Sequence, residues 1–379
     1  MTLADGSDGP AVRAAVYPRP DYDDGLWSQW GQGVVLDDGR FFSAIGDHVG
    51  PDGNSFLYEY DPADDELTQV SDVLSLTDHQ AGEWGYGKIH AQMVAGRCGE
   101  VYAATYWGTQ RGLVYEGNYR GDVLLRLDPA KRTIENRGVI LEEHGVPSMA
   151  GWSDGGLLYV EAANPKLHDP QRGALAVLDM ATGEQLFATE DEDDHRGFRA
   201  MAVDAEGRVM FSRDDGSLAR WDPASEKVSE TDIILPGDFL RAATPPAPDG
   251  TVYLVTQSPE LLFALDADGE LRELGEAAGY TTSLAMAPDG SRLWYVPHAH
   301  GGAADIGTPV IEVDTSTGEQ RTVVELDPLA RESLGLSLGG TYNVAVNADG
   351  SALYLGMNAN EPSADSLFGE VVLVTVELE

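Results

Sequence analysis

Short apolar runs separated by tight polar turns occupy the chain from end to end, and they recur as one phrase written seven times. Each copy has a β-run, a turn built on Asp-Gly or a close variant, a second β-run, and a third that closes on Asp. The turn glycines are Gly39, Gly99, Gly155, Gly207, Gly250, Gly290 and Gly350. The second runs match one another, as in Thr251-Val-Tyr-Leu-Val, Arg292-Leu-Trp-Tyr-Val and Ala352-Leu-Tyr-Leu. The third runs close as Tyr58-Glu-Tyr-Asp-Pro, Leu125-Arg-Leu-Asp-Pro and Ala219-Arg-Trp-Asp-Pro. Repeats of roughly 40–50 residues built from about four short strands are the signature of a β-propeller. A lone unit leaves both faces of its sheet open, so seven pack around an axis. The pattern predicts an all-β, seven-bladed β-propeller, with residues 1–379 as one domain.

The ends of the chain predict how the ring closes. The seventh unit has runs at 341–346, 352–355 and 370–378, and no fourth run follows. The run at 11–17 precedes the first unit and belongs to none. Placed as the outer strand of the seventh blade, it joins the two ends and leaves no unpaired ring edge.

Charge changes the picture of the surface. The chain carries 64 acidic residues against 24 lysines and arginines, for a net charge of −40. The only lysines are Lys88, Lys131, Lys166 and Lys227. Acids spread over every blade, among regular Val/Leu/Tyr runs, describe a folded protein with a carboxylate surface of the halophilic kind. That surface excludes nucleic acid, whose phosphates need a basic patch. The N-terminal Met1-Thr-Leu-Ala-Asp-Gly-Ser lacks the basic and apolar regions of a secretory signal. No run approaches the ~20 apolar residues of a membrane helix. The expectation is a cytoplasmic protein of a high-salt environment, with no membrane partner. Cys98 is the sole cysteine, so no internal disulfide forms.

Loop lengths select one face for chemistry. The turns between first and second strands are short, whereas five connections on the other face are long: 47–55, 107–121, 164–173, 298–309 and 357–369. Long loops on a rigid scaffold are where binding groups sit. That mouth receives the start of each inner strand, with Trp30, His90, Arg199, Arg241, Thr282, Tyr342 and Asn343. It also receives the end of each second strand, with Asp47, His48, Tyr106, Trp107, His298, His300, Asn358 and Asn360. Arg199 and Arg241 enter otherwise apolar stretches, Phe198-Arg-Ala-Met and Leu240-Arg-Ala-Ala, where a carboxylate ligand would pair them. In an extended strand, His298 and His300 would face the same side and form a candidate divalent-metal pair, with His90 or His48 completing the set. Calcium through Asp47, Asp305 or Asn360 is a weaker candidate, without a defined calcium loop. There is no nucleophile elbow, Walker loop or dinucleotide fingerprint. The loop acids Glu116, Asp169 and Asp305 read as solvated, and paired acids on this face are scarce, which disfavours a two-carboxylate glycosidase.

Five segments, Lys88-Ile-His90-Ala-Gln-Met, Ala104-Thr-Tyr-Trp-Gly, Phe198-Arg-Ala-Met-Ala-Val-Asp, Tyr295-Val-Pro-His-Ala-His-Gly-Gly and Gly339-Gly-Thr-Tyr-Asn343, resemble a bacterial group of seven-bladed propellers over nearly the whole chain. More remotely, the architecture is similar to the propeller polysaccharide lyases, including oligogalacturonate and ulvan lyases, which work at the mouth with His, Tyr and Arg. The resemblance implies His90 and Tyr106 as acid–base groups and Arg199 and Arg241 as carboxylate binders. It departs before His298, where Tyr295-Val-Pro stands in place of a glutamine ligand. The expected function is elimination on a small carboxylated sugar, a short uronic-acid oligosaccharide. Trp30 and Trp107 would stack on sugar rings, and Thr282, Tyr342, Asn343 and Asn358 would bind substrate. A non-catalytic propeller binding a ligand or protein at the same mouth, and a lactonase-like metal hydrolase, are the alternatives.

Overall fold

In the computed structural model, residues 1–7, 9–20, 26–107, 117–164, 173–189, 200–213, 215–237 and 239–378 are described. Six antiparallel sheets have four strands each, and one has five. The chain is a seven-bladed β-propeller. The first blade shows the logic. Its second strand, Phe41–Gly46, is buried at every position. Phe41 and Ile45 pack with Tyr354 and Leu373 of the seventh blade, while Phe42 and Ala44 pack with Val101 and Leu125 of the second. Both faces of the strand are covered, so it reads as a continuous apolar run rather than an alternation. The outer strand, Glu66–Asp72, meets water and is polar. Seven such inter-blade cores run round the ring.

The N-terminal strand Ala11–Val16 lies antiparallel against Glu370–Glu377, with Val12 opposite Val376, Ala14 opposite Val374 and Val16 opposite Val372. This is the closure the sequence predicts. A fifth strand, Thr2–Asp5, adds outside it after a turn at Gly6. The sequence pattern does not announce it, because four residues are too few to show a period.

Other details differ from expectation. In the third blade the left-handed turn residue is Gly156 (φ +68°), not Gly155; a Cβ on Gly155 would sit 2.0 Å from the Trp152 ring. The strand Ala352–Asn360 runs further than the pattern suggests, so the loop after it begins at residue 361. A helix, Leu326–Leu334, precedes the seventh blade. Its Leu326 and Ala330 fill the core between blades six and seven, and Asp327 accepts hydrogen bonds from Ser337 Oγ at 2.7 Å and the Leu338 amide at 2.8 Å. Among the described residues, no helix is long and apolar enough to cross a membrane.

Candidate functional site

The mouth is built where the inner strands lose regular pairing. In the first, second and sixth blades the regular inner strand is only two residues long, Val34–Val35, Val94–Ala95 and Ala285–Met286, with isolated bridges nearer the mouth at Ser28–Gly46 and Lys88–Tyr106. Toward the mouth the chain leaves the sheet, and that irregular stretch carries Trp30, Lys88, His90 and Tyr280. In the fifth and seventh blades the inner strand continues but bulges. Leu240 and Ala242 face the consecutive residues Thr256 and Val255, which makes Arg241 the extra residue. A second register shift between Thr341 and Val344 spans Tyr342 and Asn343. Bulges of this kind re-aim side chains.

These side chains form one belt across five blades. Arg241 Nε donates to Tyr280 Oη at 2.9 Å, and its guanidinium carbon lies 5.1 Å from the Tyr280 ring centroid. Tyr280 stacks on His300, with centroids 5.1 Å apart. His300 Nδ1 lies 2.8 Å from Tyr342 Oη. Tyr342 stacks on Trp30 at 4.9 Å, and the other stacked neighbour of Trp30 is Phe368 at 5.4 Å. Lys88 Nζ sits 3.9 Å from the Trp30 ring and 5.5 Å from that of Tyr106. Tyr106 then contacts the His90 ring at 5.2 Å and Trp107 at 4.3 Å.

The belt holds two enclosed cations, since Lys88 is 6% exposed and Arg241 2%. Both lie on aromatic faces, an arrangement that gains strength when water is excluded. His48, 5.4 Å from Trp30, adds no charge: burial, and then the Lys88 ammonium, hold it down at about 3. His90 Nδ1 lies 2.7 Å from the Pro147 carbonyl. A carbonyl only accepts, so Nδ1 carries the proton and Nε2 keeps a lone pair in the neutral ring.

Several expected ligand groups serve the scaffold instead. Asn358 clamps Gln29, accepting from its amide at 2.8 Å and donating to its carbonyl at 2.9 Å. Asn343 Oδ1 accepts from the Gly33 amide at 2.8 Å, and Thr282 donates to the Thr341 carbonyl at 2.9 Å. Each bond stitches one blade to the next. Trp107 is packed rather than presented: a Cβ on Gly145 would lie 2.2 Å from its ring, and its carbonyl accepts from Trp84 Nε1. The metal geometry expected at His298 and His300 is absent, because the strand ends at Tyr295 and His298 sits at φ +60°. His298 packs over Gly279 instead, while His300 joins the belt. Asp47 caps its own loop through the amides of Val49 and Asn54, and Asn360 holds the carbonyls of Ser366 and Phe368. Asp305 is exposed on the short helical turn Gly302–Ile306. Among the described residues, no group of three or more His, Cys, Asp or Glu could hold a metal ion. Arg199, Glu116 and Asp169 lie outside the described residues. Conversely, the structure adds Lys88, Tyr280 and Phe368, which the sequence reading does not single out as site residues. For Tyr280 the signal was its place at an inner-strand start; for Lys88, its rarity, as one of four lysines.

Behind the belt, Asp122 is wholly buried and accepts from Thr105 Oγ1 at 2.6 Å and from Tyr119 Oη. Burial pushes its carboxyl up to about 7, against those two hydrogen bonds, which pull it down. The folded state thus binds one more proton than the unfolded chain between pH 4 and 7, and this group's contribution to stability falls as pH rises through that window. Moving the carboxyl from 3.8 to about 7 corresponds to about 4 kcal/mol. Asp122→Asn removes the titration. Urea unfolding at pH 4.5, 6 and 7.5 should therefore show wild type losing stability relative to the variant as pH rises. A pH-independent difference would contradict the raised value.

No protein-family model matches the chain, and neither does any curated protein. Among solved structures it is similar to a catalytically inactive histidine-to-alanine variant of virginiamycin B lyase from Staphylococcus aureus with quinupristin, at TM-score 0.61 and 11% identity over 97% of this chain and 100% of that one. A streptogramin B lyase superposes with TM-score 0.59 at 9% identity, over 99% of this chain and 100% of that one. Kuenenia stuttgartiensis hydrazine synthase does so with TM-score 0.56 at 17% identity, over 91% and 99%. At these identities the likeness is one of fold.

Proposed function

We propose that the protein is a propeller lyase that eliminates across a carbon–oxygen bond at the mouth of the long loops. The observation that carries this reading is the His300–Tyr342 hydrogen bond, flanked on either side by a cation one aromatic ring away: Arg241 through Tyr280, and Lys88 through Trp30. The two cations favour an anionic substrate and stabilise the charge that develops when the proton next to its carboxylate leaves. His300 is exposed, so it meets a ligand directly and takes that proton. The C–H pair becomes the new double bond, the C–O bond breaks, and Tyr342 gives its proton to the leaving oxygen. Proton transfer from His300 to Tyr342 along their hydrogen bond then restores the starting pair. No co-reactant is needed.

The substrate class is a short uronic-acid oligosaccharide, because the proton beside a sugar carboxylate is the one this charge pattern activates. Arg199 is a second carboxylate binder by its place before the fourth blade. His90 and Tyr106, the pair expected from sequence, stand at the far end of the belt, beyond Lys88. They support Lys88 in this reading.

The test follows near-ultraviolet absorbance of the new double bond with acidic oligosaccharides, and with quinupristin as the second substrate arm. His300→Ala should lower kcat by about 10²–10⁴. Arg241→Ala should raise KM several-fold, the effect of removing a cation held one aromatic ring from the ligand. His90→Ala should retain most turnover. If His90→Ala abolishes turnover while His300→Ala does not, the assignment of the base reverses. Turnover of quinupristin alone replaces the sugar. Binding of uronides without any product reduces the site to a binding module.

A further inference from the structure

The axis holds a second, chemically opposite space. A cavity of about 410 Å³ occupies the other half of the channel, lined by Val34, Met93, Met149, Met201, Leu284 and Met286 among others. Its outermost lining residues, Val35, Ala95, Val203 and Val346, lead into the short turns, so it opens on the face opposite the belt. A water-filled channel needs polar partners, since ordered water forms two to four hydrogen bonds. Here the polar side chains in the wall are bonded to the backbone. Gln32 donates to the Val344 carbonyl at 3.2 Å, and Gln92 accepts from the Met149 amide at 3.2 Å. Ser153 donates to the Ala95 carbonyl at 2.6 Å, and Thr244 accepts from the Tyr253 amide at 3.1 Å. What faces the space is mostly methyl, thioether and ring carbon. Four of the eight methionines stand there, and methionine is the side chain that adapts to ligands of varied shape.

The rim has the opposite character. The turns that follow the inner strands of blades five, six and seven carry Asp249, Asp289 and Asp349. Each is held below the ordinary carboxylate range by hydrogen bonds from its own turn, to Thr251, Ser291 and Ser351 respectively. No salt bridge engages these three among the described residues. Mostly apolar walls beside an arc of three carboxylates on blades five to seven select a molecule with a hydrocarbon body and a cationic end.

We infer that the axial channel is a ligand site for small cationic amphiphiles, with the alkyl part among Met93, Met149, Met201 and Met286 and the ammonium at the acidic rim. The size suits a small organic ligand. This site is separate from the mouth and does not depend on the lyase reading.

Titration calorimetry with octyltrimethylammonium below its micelle concentration tests the inference, alongside sodium octanoate and tetramethylammonium. Saturable one-to-one binding of octyltrimethylammonium, at least tenfold tighter than either comparison compound, is the expected result. Ala150→Leu and Ala243→Leu, which fill the channel from two sides, should each weaken it tenfold or more; thermal melts of both variants establish that they fold. Asp289→Asn combined with Asp349→Asn should weaken it several-fold while leaving octanol binding unchanged. No saturable binding, equal binding of octanoate, or unchanged binding in both folded channel-filling variants would each overturn the inference.

Discussion

Deleting residues 1–16 is expected to abolish the folded monomer, whereas deleting residues 1–7 should leave it standing. The longer deletion removes the strand Ala11–Val16, which supplies the outer wall of the seventh blade. Val12 and Ala14 are buried with Val372, Val374 and Val376 in the core between the sixth and seventh blades. Burying one Val contributes about 1.5–3 kcal/mol. The loss of Val12 and Ala14, and of cover over their three partners, is comparable with the whole net stability of a typical domain, about 5–15 kcal/mol. It also leaves Glu370–Glu377 as a bare edge that templates association. The shorter deletion takes only Thr2–Asp5 and its turn, which pack at the rim with no fully buried residue. Size-exclusion chromatography and thermal melts of both truncations decide the matter. A peptide of residues 1–17 added in trans should restore the monomer of the longer truncation. A folded, monomeric 1–16 deletion with an unchanged melt would show that the ring holds without this closure.

The blades were legible because their signal is redundant. Phe41–Gly46, Leu157–Ala163 and Val252–Gln257 are buried on both faces by neighbours that repeat the same pattern, so each copy supports the others. The mouth offers no such redundancy. Arg241 and Tyr342 could be placed there by counting, since each stands near the start of an inner apolar run in the sequence, yet their orientation comes from bulges that no period announces. Lys88 and Tyr280 sit outside the regular strands, where pairing is reduced to isolated contacts, and a two-residue alternation says nothing about them. A similar irregularity separates His298 from His300. His298 and His300 would share a face only if the strand continued past Tyr295, and the chain turns at His298 instead. Asn343, Asn358 and Thr282 mislead for another reason. Polar residues near a propeller axis must satisfy backbone groups left over between blades. Only contacts from the neighbouring blade reveal that these three are spent on that task.

The melting temperature is expected to rise steeply with sodium chloride between about 0.1 M and about 3 M, over which the screening length shortens from about 10 Å to about 3 Å or less. Even if every one of the 24 lysines and arginines neutralised one acid, 64 − 24 = 40 carboxylates would remain unmatched. Their mutual repulsion opposes the compact state and weakens as salt screens it. Mild acid will not substitute for salt. Asp215, Asp249, Asp289, Asp314 and Asp349 are held ionised by hydrogen bonds from their own turns, with Asp314 brought down to about 2. Chloride is the right anion for this experiment, because sulfate raises most melting temperatures through exclusion from protein surface. Removing charge from exposed outer strands, with Glu66→Gln, Asp232→Asn and Glu273→Gln together, should move the curve toward lower salt. A salt-independent melt in wild type would mean that the blades tolerate the repulsion unaided. A steep curve that the triple variant fails to shift would locate the salt effect elsewhere than these outer-strand carboxylates.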